Sequence, residues 1–273
     1  MIFDATQCKL GEGPLWHPER GELFWFDILG KRLHTRERHW QFDEFVSAAG
    51  WVDADTLLVA SATSLSRFSI ATGNSEVVCP LEADNRVTRS NDGRADPQGG
   101  FWIGTMGINA EDGAGAIYRY YKGELRQLFA PITISNAICF APDGKTAYFT
   151  DTPTQVIMRV ALDAEGWPAG DPQPHIDLTG TEFRPDGAVV DADGNLWNAQ
   201  WGVGRVAVYD PEGRFIESFS VAGRQTSCPA FGGADLATLY CTTAAIGLKG
   251  SEEGKTYFTE THYTGQAEHR VIL

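Results

Sequence analysis

A hairpin phrase recurs six times along this chain, and it constrains the fold more than any other feature. The clearest copy reads Ile138-Cys139-Phe140-Ala141-Pro142-Asp143-Gly144, followed soon by Ala147-Tyr148-Phe149-Thr150-Asp151. It returns at Ala188-Val189-Val190-Asp191-Ala192-Asp193-Gly194, then Leu196-Trp197-Asn198-Ala199. Two further copies run from Pro14 to Asp27 and from Arg94 to Gly104, and weaker ones begin near Gly50 and Pro229. Each is an apolar run of strand length, a turn bearing Gly or Asp, and a second, aromatic-rich run, which reads as a β-hairpin. The Pro142-type position falls at 18, 54, 97, 142, 192 and about 233, a mean interval of 43 residues. A four-stranded propeller blade takes about 40–50 residues. Six copies in 273 residues therefore predict an all-β, six-bladed β-propeller with four-stranded blades, spanning 1–273 as one domain. A β-sandwich shares the turn residues but gives no reason for their phasing. The run Lys255-Thr256-Tyr257-Phe258 is expected to share a blade with the N-terminal strand and close the ring, and Asp163 to Pro174 reads as a long connection between strands.

The formal net charge of −14 argues against nucleic acid and anionic membranes as partners and favours cations. The cysteines are five in number and widely spaced, with no CxxC pair; neither a disulfide framework nor a zinc knuckle fits. The first residues lack a basic segment followed by an apolar one, and no apolar run is long enough to span a bilayer. A reducing cytoplasm is the expected compartment.

In a propeller the first strand of each blade lines the central channel, so residues at one phase of the repeat sit at one height around one axis. Six residues before each Pro142-type position stand Glu12, Ala48, Asn91, Asn136, Asp186 and Ser227. Carboxylate and carboxamide oxygens dominate this ring, the donor set of a hard divalent cation such as Ca²⁺, Mg²⁺ or Mn²⁺, with Zn²⁺ also accepted by carboxylates. Too few ligands are present to fill a coordination shell, which leaves room for water or substrate, as metal-assisted hydrolysis requires. Asp92-Gly93 and Asp186-Gly187 are also turn-forming dipeptides, so on residue types alone both readings stand.

At these same residues the chain resembles the SMP-30/gluconolactonase/regucalcin-like family. The matching stretches are Leu10-Gly11-Glu12-Gly13-Pro14-Leu15-Trp16, Arg89-Ser90-Asn91-Asp92-Gly93-Arg94-Ala95-Asp96-Pro97, Gly104-Thr105-Met106, Ile134-Ser135-Asn136, Pro185-Asp186-Gly187, and Thr226-Ser227-Cys228 with Phe231-Gly232-Gly233. The resemblance implies a six-bladed propeller that binds one divalent cation and opens small sugar lactones. It places the metal ligands on Glu12, Asn136 and Asp186, the substrate contacts on Arg89 and Asn91, and proton transfer on Asp186. It also implies tolerance for more than one of Ca²⁺, Zn²⁺, Mn²⁺ and Mg²⁺. One departure bears on the sugar. The family's regucalcin-like members carry a longer segment with a substrate-contacting glutamate where this chain has only Gly107 to Gly115; Glu111 and Asn109 are the candidates for that contact.

Two other functions share these features: a phosphotriesterase-like calcium hydrolase and a non-catalytic calcium-binding propeller. Other tempting residues read as structure. Trp16, Trp25, Trp51, Trp102 and Trp197 recur inside the hairpins and should pack between blades. Asp27 and Asp151 end equivalent strands and should bond backbone groups; His17 reads as a local hydrogen-bonder. Ser227 beside Cys228 has no partner His placed by any motif, which argues against covalent catalysis.

Overall fold

Every tandem hairpin pair of the sequence becomes one four-stranded antiparallel sheet, and six such sheets form a six-bladed propeller in the computed structural model, which describes residues 1–273. Blades 1 to 5 are each built from four consecutive strands. Their innermost strands are Gly11–His17, Val46–Asp53, Thr88–Ala95, Ser135–Phe140 and Arg184–Val190. Blade 6 starts with Gln225–Gly232 and is completed by the chain's first strand, Ile2–Asp4, which pairs with Thr256–Glu260. The expected ring closure is thus present, and residues 162–172 form the expected long connection between two strands of blade 4.

The strands alternate side chains between two faces, yet both faces are apolar. The reason is that each blade is sandwiched between two others. In Thr56–Ser61, Leu57 and Val59 pack with Phe24 and Phe26 of blade 1, whereas Leu58 and Ala60 pack with Phe101 and Ile103 of blade 3. Six apolar clusters result, one at each blade interface. The tryptophans belong to them. Trp102 meets Phe140 edge-on across blades 3 and 4, and Trp197 meets Phe231 in the same way across blades 5 and 6. Trp16 stacks on Tyr240 of blade 6. Burying a side chain of this size contributes about 2–3 kcal/mol.

Polar groups fix the connections. Asp27 accepts the backbone N–H groups of Lys9, Leu10 and Gly30, and Asp151 accepts those of Thr133 and Ile134. Each carboxylate thereby pins the linker entering its blade to the end of that blade's second strand. The ring of His17 bonds the Asp53 carbonyl of blade 2 at 3.0 Å. All five cysteines are free thiols, and Cys139 lies in the blade 4–5 core. No helix is long and apolar enough to cross a membrane.

The last residues cross the propeller at the ends of the inner strands. Gln266 donates to the Phe140 and Val190 carbonyls, Glu268 pairs with Arg94, and Trp51 donates to the Glu268 carbonyl. The Val271 and Ile272 amides bond the carbonyls of Trp51 and Gly99. This tail covers the channel mouth remote from Glu12 and Asp186, which stand at the strand beginnings.

Candidate active site at one mouth of the channel

Near its start, each inner strand breaks its pairing ladder. In blade 1, Glu12 pairs with Phe26 and the next pair is Leu15 with Phe24; in blade 4, Asn136 pairs with Thr150 and the next pair is Cys139 with Tyr148. Three steps on one strand match two on the other, which is a β-bulge. Blades 3 and 5 bulge in the same way, after Ser90–Thr105 and after Pro185–Gln200. A regular strand would turn neighbouring side chains to opposite faces; the bulge re-aims them.

This geometry corrects the single-register expectation. Matched bulge to bulge, Asn91 and Asp186 stand one residue beyond Glu12 and Asn136. The offset is hidden in the sequence because the stretch from bulge to turn is one residue longer in blades 3 and 5. Two of the bulges use the left-handed region, with Gly13 at φ 53° and Ala137 at φ 55°. A Cβ on Gly13 would lie 2.3 Å from the Ser47 carbonyl oxygen. Non-glycine residues are uncommon there, so Ala137 holds its conformation at a cost.

Arg89, Asn91, Asn136, Asp186 and Glu12 are all buried. Arg89 Nη1 donates to Asn91 Oδ1 and to the Ser90 carbonyl, both at 2.8 Å. Asn91 Nδ2 donates to the Ser135 carbonyl at 2.8 Å and to Asn136 Oδ1 at 3.1 Å. Asn136 Nδ2 donates to Thr152 Oγ1 at 2.9 Å. Three of the five residues are therefore brought into one hydrogen-bonded row. Arg89 Nε is buried without a partner. Asp96, seven residues on, does not pair with Arg89: it is held by Arg119 at 2.6 Å, with both side chains fully buried.

The other phase positions fall away from this group. Ala48 lies in the apolar interface of blades 2 and 3. Ser227 Oγ donates to the Gly11 carbonyl at 2.5 Å and meets Thr242 Oγ1 at 2.9 Å, tying blade 6 to blade 1. Asn109 and Glu111 sit on an exposed loop that leaves its strand at Gly107, opposite Thr88 and one residue from Arg89. There they bond to each other: Glu111 accepts the Asn109 backbone N–H at 3.0 Å and its Nδ2 at 2.9 Å. These bonds hold the Glu111 carboxyl below its usual range.

One site residue escaped the sequence reading. Asp92 is buried and accepts the Ile138 N–H at 2.7 Å, across blades 3 and 4. Its charge is felt by both Glu12 and Asp186. Asp92-Gly93 reads as a turn, and only the bulge lets Asn91 and Asp92 both act near the axis.

Three buried carboxyls thus lie near the axis, with Arg89 the countercharge of Glu12 and Asp186 and Arg94 that of Asp92. Burial first, then the charge of Asp92, pushes the Glu12 carboxyl up to about 8. Burial, then Glu12 and Asp92, pushes Asp186 well above the usual carboxylate range. Burial alone raises Asp92 to about 6, against the Ile138 N–H that favours its anion. Arg89 is lowered by burial to about 10 and held up by Glu12 and Asp186, so it stays cationic at neutral pH. With every group ionised, the two carboxylates of Glu12 and Asp186 face the one positive charge of Arg89, and Asp92 adds to their repulsion. No trio of His, Cys, Asp or Glu side chains is placed to hold a metal without other donors; a cation beside Glu12 and Asp186 would need further oxygens, of which the Asn136 carboxamide is a candidate. An all-oxygen set with excess negative charge fits a hard divalent cation.

Fold and site together define a propeller enzyme-like centre: a closed ring of blades with a buried acidic cluster beside an arginine at the beginnings of its inner strands. The model of the SMP-30/Gluconolactonase/LRE-like region matches residues 10–245, and the chain belongs to that family. A protein of Rhizobium meliloti (strain 1021) named "Putative sugar lactone lactonase" is 42% identical over 90% of this chain and 86% of its own length. The L-arabinolactonase of Azospirillum brasilense is 33% identical over 98% of this chain and 94% of its own. Among solved structures, a regucalcin from Agrobacterium tumefaciens strain C58, described as a calcium-binding protein, superposes with a TM-score of 0.97 at 40% identity. That match covers 100% of this chain and 97% of the other.

Proposed function

We propose that this protein is a divalent-cation-dependent lactonase that hydrolyses the ester bond of a small sugar lactone to the free sugar acid. One observation supports the reading: Glu12 and Asp186 are buried together with Arg89 as their countercharge, and the nearby charge of Asp92 raises both carboxyls further. The lactonase names borne by its relatives supply the substrate class. Glu12, Asn136 and Asp186 would hold the cation through oxygen, with Ca²⁺ the first candidate.

When bound, the cation supplies Lewis acidity that polarises a lactone carbonyl. The side chains supply the rest. Arg89 has an unpaired buried N–H at Nε and offers it to the sugar's oxygens; its planar guanidinium fixes the direction of that bond. Both N–H groups of Asn91 are already spent on blade 4, so Asn91 meets the sugar through Oδ1 and otherwise holds Arg89 in place. Asp186 takes the proton of the attacking water as the new C–O bond forms. It returns that proton to the ring oxygen as the old ester bond breaks. A carboxyl can both accept and return a proton, so one residue can serve both directions of transfer. Asn109 and Glu111, on the loop that leaves its strand beside Arg89, would meet the sugar's outer hydroxyls.

The decisive test is acid release from a panel of hexono- and pentonolactones after chelation, with Ca²⁺, Mg²⁺, Mn²⁺ or Zn²⁺ added back. Cation-restored hydrolysis of at least one lactone is expected. Cation binding without any lactone turnover would refute the enzymatic reading, and faster turnover of an organophosphate ester would redirect it.

A further inference from the structure

The hydrogen-bonded row at the mouth has a direction. Arg89 can only donate, and the row ends on a backbone carbonyl, which can only accept. Between them the donors run one way: Arg89 Nη1 to Asn91 Oδ1, Asn91 Nδ2 to Asn136 Oδ1, Asn136 Nδ2 to Thr152 Oγ1, and Thr152 Oγ1 to the Pro185 carbonyl at 2.8 Å. A hydroxyl has one proton. Because Thr152 spends it on Pro185, its oxygen is left as an acceptor for Asn136. Asn91 presses the same orientation from the other side by giving its N–H to Asn136 Oδ1. The Asn136 carboxamide is therefore held at both ends, its oxygen toward Asn91 and its nitrogen toward Thr152.

We propose that Thr152 is a positioning residue for the cation site, acting through Asn136 and Pro185 and touching neither cation nor substrate. This rests on the reading of Asn136 and Asp186 as cation ligands. Thr152 opens a short 3-10 turn, Thr152–Thr154, directly after the linker-pinning Asp151. Its own amide bonds the Ile134 carbonyl at 3.0 Å, so its backbone is fixed independently of its hydroxyl. Through that hydroxyl it joins blade 4 to the residue preceding Asp186 in blade 5. One group thus sets the amide orientation of one ligand and the strand position of another.

The sharpest substitution is Thr152→Val, which keeps the shape and removes the hydroxyl; Thr152→Ser keeps the hydroxyl. Calorimetric titration of chelated protein with Ca²⁺ should give a Kd about tenfold weaker in T152V and near wild-type in T152S. Matching melting temperatures of the three metal-free proteins would exclude a folding defect. A second readout needs no cation: slow solvent exchange of the Asn136 side-chain amide protons, followed by NMR, should persist in T152S and be lost in T152V. Unchanged Ca²⁺ affinity and unchanged amide exchange in T152V would overturn the inference while leaving the cation reading intact. Failure of the wild-type protein to bind any divalent cation would instead refute the cation reading, and the amide exchange would still decide whether Thr152 orients Asn136.

Discussion

Replacing Glu12 by Gln should stabilise the metal-free protein in alkaline solution, although it removes a proposed ligand. In the fold the Glu12 carboxyl titrates near 8 instead of its ordinary 4.5, because it is buried beside Asp92. Each tenfold shift in proton affinity corresponds to about 1.4 kcal/mol, so holding Glu12 ionised costs about 5 kcal/mol at most. Asp186 and Asp92 share the same field, which brings the separable part nearer ~2–3 kcal/mol. Below pH 4.5 the group is protonated in folded and unfolded chains alike and contributes nothing. As the pH rises toward about 8 the unfolded chain loses its proton first, so stability falls, and above that the whole penalty applies. Gln keeps an oxygen for the Gly13 N–H and carries no charge. Urea unfolding with a chelator present should therefore give E12Q and wild type equal stability near pH 4, with E12Q ahead by ~2–3 kcal/mol near pH 9. Added Ca²⁺ should reverse the order by stabilising wild type alone. An E12Q protein less stable than wild type near pH 9 under chelation would refute the picture of uncompensated buried charge.

Other consequences are as direct. Asp186→Asn should keep fold and melting cooperativity but lower lactone turnover by ~10²–10⁴-fold, measured as acid release at saturating cation; near-normal turnover would remove Asp186 from proton transfer. Gly13→Ala meets both a left-handed backbone and the Ser47 carbonyl, and should cost ~2–4 kcal/mol in chemical denaturation. Glu111→Ala should raise KM for the preferred lactone about fivefold at unchanged kcat, the loss of one hydrogen bond made equally to substrate and transition state.

The propeller was legible because its turns carry the repeat: Gly and Asp at Asp143-Gly144, Asp193-Gly194 and Pro18–Gly21 mark hairpins whatever lies between. The blade closure followed from the aromatic run at Tyr257-Phe258, which needs a partner. The register of the candidate residues was legible to within one residue, as the bulges show. What blurred it was the bulge, an added residue with no compositional mark. In blade 4 even its left-handed position is filled by Ala137, where a glycine would have betrayed it. Asp92 was lost for the same reason, since alternation sends it away from Asn91. Thr152 acts through contacts spanning 16 and 33 residues, which no local pattern encodes.

The tail crosses the far end of the inner strands, away from the acidic cluster. Under the proposed reading, substrate and product would both use the other end, where Arg89 stands. A lactone is neutral and its acid product is an anion, so the two traffic through one doorway under opposite electrostatic conditions. The arginine that would draw in the sugar would also detain the product carboxylate, while the carboxyls beside it would repel it. Occupancy would then be mutually exclusive, and inhibition by the sugar acid is expected to be competitive. The terminal strap, thirteen residues without regular structure, would in this way bear on the order of events at a centre it reaches only through Glu268 and Arg94.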